Sequence, residues 1–221
     1  MPLSGKGMLI TLMNVDPSEQ ADFNDWYDKE HLAERVGIEG FTEARRYLAV
    51  EADPKYLNLY TTRTFDILSS PQYKKALANQ TERSLHHIER FRDSGRAIVR
   101  VTASKGQGRG SALFFAAIRP AGQDESALRE LLTKYLEGLI AEPDIISAHL
   151  VESDPELSKP LTADTPAANA SDWYVMIDGT HPDAVRKHGQ ALTADAAVLP
   201  AEVLVSQGVY RLMWDLSKAE L

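Results

Sequence analysis

The sequence predicts an α+β protein whose two halves repeat one order of strands and helices. Apolar runs of strand length alternate with helical patterns along the 221-residue chain, and a polar, glycine-rich stretch at residues 104–110 lies near its midpoint. The order β-α-β-β-α-β can be read on both sides of that stretch, which is the mark of a structural repeat. Each half is long enough to bury a core of its own.

The first half opens with an apolar strand and a capped helix. Residues 8–15 form a nearly continuous apolar run, and the DPSE motif after it predicts a helix with Asp16 as N-cap and Pro17 at its first position. We expect that helix to end between residues 36 and 40, where two glycines lie. The remaining predicted elements of this half are strands at 41–50 and 55–63, helices between 71 and 91, and a strand at 97–102.

The second half repeats this order after the glycine-rich stretch. Its predicted elements are a strand at 111–119, a helix capped by Asp124, strands at 145–151 and 173–178, a helix at 181–197 and a last strand at 209–216. Residues 152–171, rich in proline and alanine, are expected to form a flexible surface loop. The predicted units are therefore 1–104 and 111–221, joined by a linker at 105–110.

The order β-α-β-β-α-β is that of a ferredoxin-like unit, a four-stranded antiparallel sheet with both helices on one face. Packing the two helix-free faces together gives a pseudo-symmetric α+β barrel. Its inner face is expected to include polar and aromatic side chains of two strands, Arg45, Tyr47, Tyr56, Asn58 and Tyr60. Two separate lobes are the alternative, but they would expose more apolar surface.

Composition excludes several functions. The net charge of -8 argues against a nucleic-acid partner, and the absence of cysteine excludes disulfides, thiol catalysis and cysteine-bound metals. The apolar run at 8–13 is too short for a signal peptide or a membrane span. We therefore expect a cytoplasmic protein with neither a membrane nor a nucleic acid as partner.

The WYDKEH stretch, residues 26–31, places ionisable side chains where a buried helical face is expected. Trp26, Tyr27 and Glu30 share one stripe of a regular helix, and His31 lies at its edge. Burying such groups without partners is costly. Either Glu30 pairs with an arginine and His31 caps the helix, or both line a small-molecule pocket.

In the pocket interpretation, His31 is the acid/base because it titrates near neutrality, and Glu30 shares that task or holds its tautomer. Trp26 and Tyr27 form apolar walls, although aromatic residues on such a stripe more often simply fill a core.

Two neighbouring strands add further candidates. Arg45 and Tyr47 share one strand face, and Tyr56 and Tyr60 share another, where they could bind a carboxylate or an enolate oxygen. The alternative is that the arginine pairs with Glu30 and the tyrosines fill the barrel.

No metal or cofactor is expected. His86 and His87 are adjacent, and side chains about 100° apart on a helix do not readily bind one metal ion, so a solvated face or a helix end is the simpler interpretation. A metal site formed by His31, Glu30 and one of these histidines is a minor alternative. The serine-hydrolase elbow and the nucleotide-binding glycine loop are both missing from the sequence.

Three stretches resemble the EthD-like proteins of the dimeric α+β barrel superfamily. They are NDWYDKEHLAER at 24–35, VGIEGF at 36–41 and ARRY at 44–47. The resemblance covers residues 8–63 and is only architectural afterwards. The chain departs from the family where Leu32-Ala33-Glu34 stands in place of a proline soon after the histidine.

Many members of this family are single units that dimerise into a barrel, and this chain resembles a tandem version. The resemblance implies a pocket for a hydrophobic or aromatic metabolite between sheet and helices, with His31 for proton chemistry. The superfamily includes isomerases, cyclases, monooxygenases and haem-binding proteins, so the fold does not fix the reaction.

The expected function is therefore a cofactor-independent enzyme that uses general acid/base catalysis on a hydrophobic or aromatic metabolite, as an isomerase, cyclase or lyase. A non-catalytic ligand-binding or stress-related protein is the alternative, and a cofactor-free monooxygenase is a weaker one. A homodimer is compatible with all three.

Overall fold

The chain folds into a closed antiparallel barrel with helices packed on its outside. The computed structural model describes residues 3–120, 122–159 and 170–221. The strands of this part of the chain are β1 (Gly7–Asn14), β2 (Phe41–Glu51), β3 (Tyr56–Thr62), β4 (Arg92–Gly106), β5 (Ala112–Ile118), β6 (Ile145–Ser153), β7 (Trp173–Gly179) and β8 (Leu204–Ser217). The α-helices are α1 (Gln20–Trp26), α2 (Leu32–Gly37), α3 (Pro71–Ala78), α4 (Glu82–Ile88), α5 (Glu125–Leu139) and α6 (Pro182–Ala194).

The strand order is β1-β3-β2-β8-β5-β7-β6-β4, and the last strand pairs with the first. Within it, the first four strands of the sequence follow the order β4-β1-β3-β2, and the last four follow the corresponding order β8-β5-β7-β6. The two sets join where β2 pairs with β8 and β4 pairs with β6. Closure of the barrel leaves none of these eight described strands at an open sheet edge. The predicted α+β barrel is confirmed.

The connection between the halves is shorter than the sequence suggests. Lys105 and Gly106, assigned to the linker, belong to β4, where they pair with Ala148 and Ser147 of β6. β4 is long because it pairs with β1 of its own half and then with β6 of the other half. The strand therefore takes up residues whose composition is typical of a linker.

The predicted surface loop at 152–171 divides into three parts. Glu152 and Ser153 lie in β6, and the following segment, residues 154–159, packs against the first half. There the Ser158 hydroxyl accepts a hydrogen bond of 2.9 Å from the backbone N–H of Ile98. Residues 160–169 lie outside the described part of the chain. The part of this loop next to β6 is therefore built into the structure.

The core has three layers, one inside the barrel and one beneath the helices of each half. Leu57 and Leu59 point into the barrel, where they meet residues of the second half such as Phe115 and Met176. Side chains alternate along a strand, so Tyr56 and Tyr60 face the helices instead.

Asn58 also lies on the helix side of β3, where its amide is 3.4 Å from the sulfur of Met13. The expected inner face was therefore wrong for Tyr56, Asn58 and Tyr60. It was right for Tyr47, which packs inside the barrel with Leu57 and Leu59.

The helical segments differ from their predicted bounds. Asp16 does not cap α1, because its carboxylate accepts hydrogen bonds from the backbone N–H and the hydroxyl of Ser18. The helix begins at Gln20 after that turn. The pattern at 71–91 forms two helices, α3 and α4, each capped by a hydroxyl side chain, Ser70 and Thr81.

Candidate active site

A π-helical turn, Tyr27–His31, connects α1 to α2. The backbone N–H of Leu32 donates to the carbonyl of Tyr27, five residues earlier, so this turn holds one residue more than an α-helical turn. The extra residue rotates the next helical turn relative to α1. His31 therefore takes the inward position that a regular helix would give to Glu30, and Glu30 turns outward to pair with Arg83.

His31 is buried against aromatic rings, with 7% of its surface exposed. Its ring centroid lies 4.4 Å from that of Trp26 and 5.1 Å from that of Tyr27. Trp26 also stacks on His87 at 4.7 Å, with an interplanar angle of 26°. Both histidines lie in the last turn of α4, in agreement with the predicted helix end, but only His86 is on a solvated face, because His87 packs in the core.

A cavity of about 460 Å³ lies between the outer face of the first-half sheet and the helices that cover it. One part of its wall is apolar, formed by Leu9, Met13, Leu77, Ile88 and Phe91. The other part is polar, formed by Tyr27, His31, Arg35, Tyr60, Gln80 and Arg96. An apolar cavity of this size with a few converging polar groups is typical of a small-molecule site.

The imidazole of His31 is neutral at neutral pH. Burial lowers its pKa well below the usual value, and the positive charges of Arg35 and Arg46 lower it further. Its Nδ1 atom is buried without a hydrogen-bond partner among the described residues, and the nearest carboxylate, that of Glu34, lies 3.9 Å away. A neutral imidazole has one unprotonated ring nitrogen, through which it can accept a proton.

Two tyrosines provide hydroxyl groups in the same cavity. The hydroxyls of Tyr27 and Tyr60 lie 2.6 Å apart and share a hydrogen bond. Burial raises the pKa of both phenols, so both stay protonated at neutral pH. This pair can donate a hydrogen bond to a ligand oxygen.

Arg45 and Tyr47 lie inside the barrel and do not line this cavity. The guanidinium of Arg45 donates to the Tyr47 hydroxyl at 3.3 Å and approaches the carboxylates of Asp178 at 3.6 Å and Glu43 at 4.0 Å. Asp178 in turn lies 3.5 Å from His149. These groups form a buried charged cluster on the other side of the sheet from His31.

The structure therefore brings together some of the candidate residues and separates others. His31, Tyr27 and Tyr60 line the cavity, and Trp26 packs behind His31. Glu30, Arg45, Tyr47 and Tyr56 do not line it. The suggested pairing of Glu30 with His31 is not found, because Arg83 holds Glu30 on the outer side of the helix.

Sequence reasoning missed the two arginines and the glutamine of the cavity wall. Arg35 follows His31 by four residues, and this spacing on a helix was the one available signal. Gln80 lies between α3 and α4, and Arg96 lies on β4, which pairing with β1 brings to the cavity.

Among the described residues, one group has donor atoms close enough to hold a metal ion. The donor atoms of Glu19, His86 and His87 all lie within 4.8 Å of one another. The two imidazole rings are perpendicular, with centroids 5.1 Å apart. None of the three lines the cavity around His31.

No family model and no curated protein matches the amino-acid sequence. Solved structures match it over almost its whole length. The chain shares the α+β barrel fold of these proteins. An anthrone oxidase-like protein is similar with a TM-score of 0.70 and 12% identity, over 99% of this chain and 95% of its own.

A putative monooxygenase from Fusobacterium nucleatum subsp. nucleatum has a TM-score of 0.63 and 10% identity, over 98% of this chain and 96% of its own. A heme-binding protein from Thermus thermophilus has a TM-score of 0.53 and 13% identity, over 99% of this chain and 94% of its own. Similarity at such identities shows the fold alone. Within the described residues, no helix is long and apolar enough to cross a membrane.

Proposed function

We propose that this protein is a small cofactor-independent enzyme that removes a proton from a hydrophobic or aromatic carbon acid, with His31 as general base. One observation carries the proposal: a buried imidazole with a lowered pKa lines a largely apolar cavity of small-molecule size. An imidazole of lowered pKa is unprotonated at neutral pH and can accept a proton, although its lower basicity also reduces the driving force for that transfer.

The chemistry follows from the groups around the cavity. His31 takes the proton, and the electron pair left on carbon moves onto a neighbouring carbonyl oxygen to give an enolate. Tyr27 and Tyr60 are protonated and hydrogen-bonded to each other, so one of the two hydroxyls donates to the other and the second donates to that oxygen. Returning the proton to another carbon makes the reaction an isomerisation. Attack of the enolate on a carbonyl makes it a cyclisation, and loss of a leaving group makes it a lyase reaction.

A second candidate is suggested by the names of the structural neighbours, an anthrone oxidase-like protein and a putative monooxygenase. In a cofactor-free monooxygenase, the same proton removal by His31 would prepare the substrate for reaction with O₂. The acid/base enzyme and the monooxygenase share removal of the proton as their first step, but only the monooxygenase would consume oxygen. A third candidate is a protein that only sequesters its ligand.

The first step can be tested without knowing the natural substrate. Anthrone, an aromatic carbon acid, is incubated with the protein in D₂O, and NMR follows the replacement of its acidic C–H by deuterium. We expect His31→Gln to slow the enzyme-dependent exchange by about a hundredfold or more, as is usual on loss of a general base. His86→Gln, outside the cavity, is the matched control and should leave exchange unchanged.

Exchange that survives in His31→Gln would show that His31 is not the base. Saturable binding of anthrone with no exchange in either protein would favour sequestration. An oxygen electrode run on the same samples tests the monooxygenase candidate.

We also propose that the two halves of the barrel are ferredoxin-like units of a tandem EthD-like protein, divided near residues 105–110, with the active site in the first. This is supported by the matching strand orders and by the apolar layer under α5 and α6, which packs leucines where the first half has Trp26, Tyr27 and His31. A cytoplasmic location and a small metabolite as the partner are part of the same proposal.

A further inference from the structure

Arg35 differs from the other buried arginines in having no carboxylate partner in the part of the chain that the structure describes. Arg35, Arg45 and Arg46 are all buried, with 6% or less of their surface exposed. Arg46 pairs with Asp28, and Arg45 lies within 4.0 Å of two carboxylates. No carboxylate of the described residues lies within 4 Å of Arg35, whose Nη2 donates instead to the neutral Gln80 side chain at 2.8 Å.

A second arginine of the cavity is in the same situation. Arg96 on β4 is half-buried, and its guanidinium donates to the Leu157 carbonyl at 2.9 Å and to the Tyr73 hydroxyl at 3.4 Å. Both partners are neutral, and no described carboxylate lies within 4 Å of it. The cavity wall includes one acidic residue, Glu89, which is exposed. The wall therefore carries positive charge that the protein itself leaves uncompensated.

A buried guanidinium without a counter-ion is costly, and a bound anion removes that cost. The planar fork of a guanidinium matches a carboxylate, to which it can form two parallel hydrogen bonds. Arg35 follows His31 by four residues, so its side chain lies on the same side of the helix, next to the proposed base. The same wall also includes the apolar side chains of Leu9, Met13 and Phe91.

We propose that the ligand of this cavity is an aromatic or similarly apolar anion whose carboxylate, or a comparable oxyanion, binds between Arg35 and Arg96. This inference rests on the proposed function, since it names the substrate class of the same cavity. The anionic group binds to the arginines, and the apolar body of the molecule contacts the apolar side chains of the same cavity. Arg96 is held there partly by Leu157, so the second half of the chain contributes to the anion site.

The test uses two probes of almost equal shape, 2-naphthoate and the uncharged 2-naphthamide, with binding measured by isothermal titration calorimetry. We expect the wild type to bind 2-naphthoate at least tenfold more tightly than 2-naphthamide. Arg35→Gln and Arg96→Gln should each lower the affinity for 2-naphthoate about tenfold and leave that for 2-naphthamide within twofold. Arg92→Gln is the matched control, because Arg92 lies on the same strand as Arg96 but pairs with Asp16 outside the cavity, and it should change neither affinity.

Equal affinities of the wild type for the two probes would overturn the proposal. Failure of 2-naphthoate to bind at millimolar concentration would overturn it too, as would a preference for 2-naphthoate that survives in both arginine variants. If Arg35→Gln fails to fold, the test is made with Arg96→Gln, because a substitution at this half-buried position disturbs folding less. His31→Gln should keep the preference for the anion. Loss of the proposed catalysis and loss of the anion site are therefore distinguished by separate variants and separate measurements.

Discussion

The buried, unpaired imidazole of His31 should make the stability of the protein depend on pH in a predictable direction. In the unfolded chain a histidine takes up a proton near pH 6.5, whereas burial and two nearby arginines lower the pKa of His31 in the folded state. Between these two pKa values the unfolded state binds the additional proton. Stability therefore falls as the pH falls below about 6.5, and it is unaffected by this group above that pH.

The size of the effect follows from the linkage relation. One proton bound only by the unfolded state changes the free energy of unfolding by about 1.4 kcal/mol per pH unit. Between pH 6.5 and pH 5.0, His31 can therefore contribute up to about 2 kcal/mol of lost stability. His149 also has a pKa lowered by burial and adds to the wild-type slope, so the comparison with a His31 variant isolates the contribution of His31.

The assay is urea unfolding followed by tryptophan fluorescence at several pH values from 5.0 to 7.5. His31→Gln should lose less stability on acidification than the wild type, by about 1 to 2 kcal/mol at pH 5.0 relative to pH 7.5. His86→Gln, which removes a half-exposed histidine from the same region, should follow the wild type. Parallel stability curves for the wild type and His31→Gln would refute the conclusion that His31 is buried without a counter-ion.

Two further predictions concern packing around the site and in the second half. Tyr60→Phe removes the hydroxyl partner of Tyr27 and should lower the free energy of unfolding by about 1 kcal/mol. If the shared hydrogen bond accounts for this loss, the double variant Tyr27→Phe/Tyr60→Phe should be no less stable than Tyr60→Phe alone. A methyl group added at Gly189 of α6 would overlap the Phe114 ring, so Gly189→Ala should lower the free energy of unfolding by about 1 to 3 kcal/mol, despite the better helix propensity of alanine. Gly138→Ala in α5, where the added methyl group meets no atom within 4 Å, should be neutral or stabilising by up to about 1 kcal/mol. Chemical unfolding of these variants measures both effects, and destabilisation of equal size at both glycines would contradict the packing argument.

The sequence by itself determined the type and order of the elements. The hydrophobic pattern of a strand or helix lies within its own segment. β1, β2, β3 and the amphipathic helices α5 and α6 could therefore be predicted from their own residues. The antiparallel barrel followed from that order, because a sheet with helices on one face needs cover on the other. The WYDKEH stretch was also visible in the sequence as a place where aromatic and ionisable residues share a helix, and His31 does line the cavity.

Only the tertiary structure decided which side chains meet. The π-helical turn gives the inward position to His31 and turns Glu30 outward, and a helical wheel with a constant 3.6 residues per turn places them the other way round. The pairing register of β2 with β3 sets Arg45 opposite Leu59, so Arg45 and Tyr47 point into the barrel while Tyr60 faces the cavity. Arg96 reaches the cavity through the pairing of β4 with β1, and Gln80 reaches it through the path of α3 and α4. These outcomes depend on contacts between residues far apart in the chain, and such contacts leave no local pattern in the sequence.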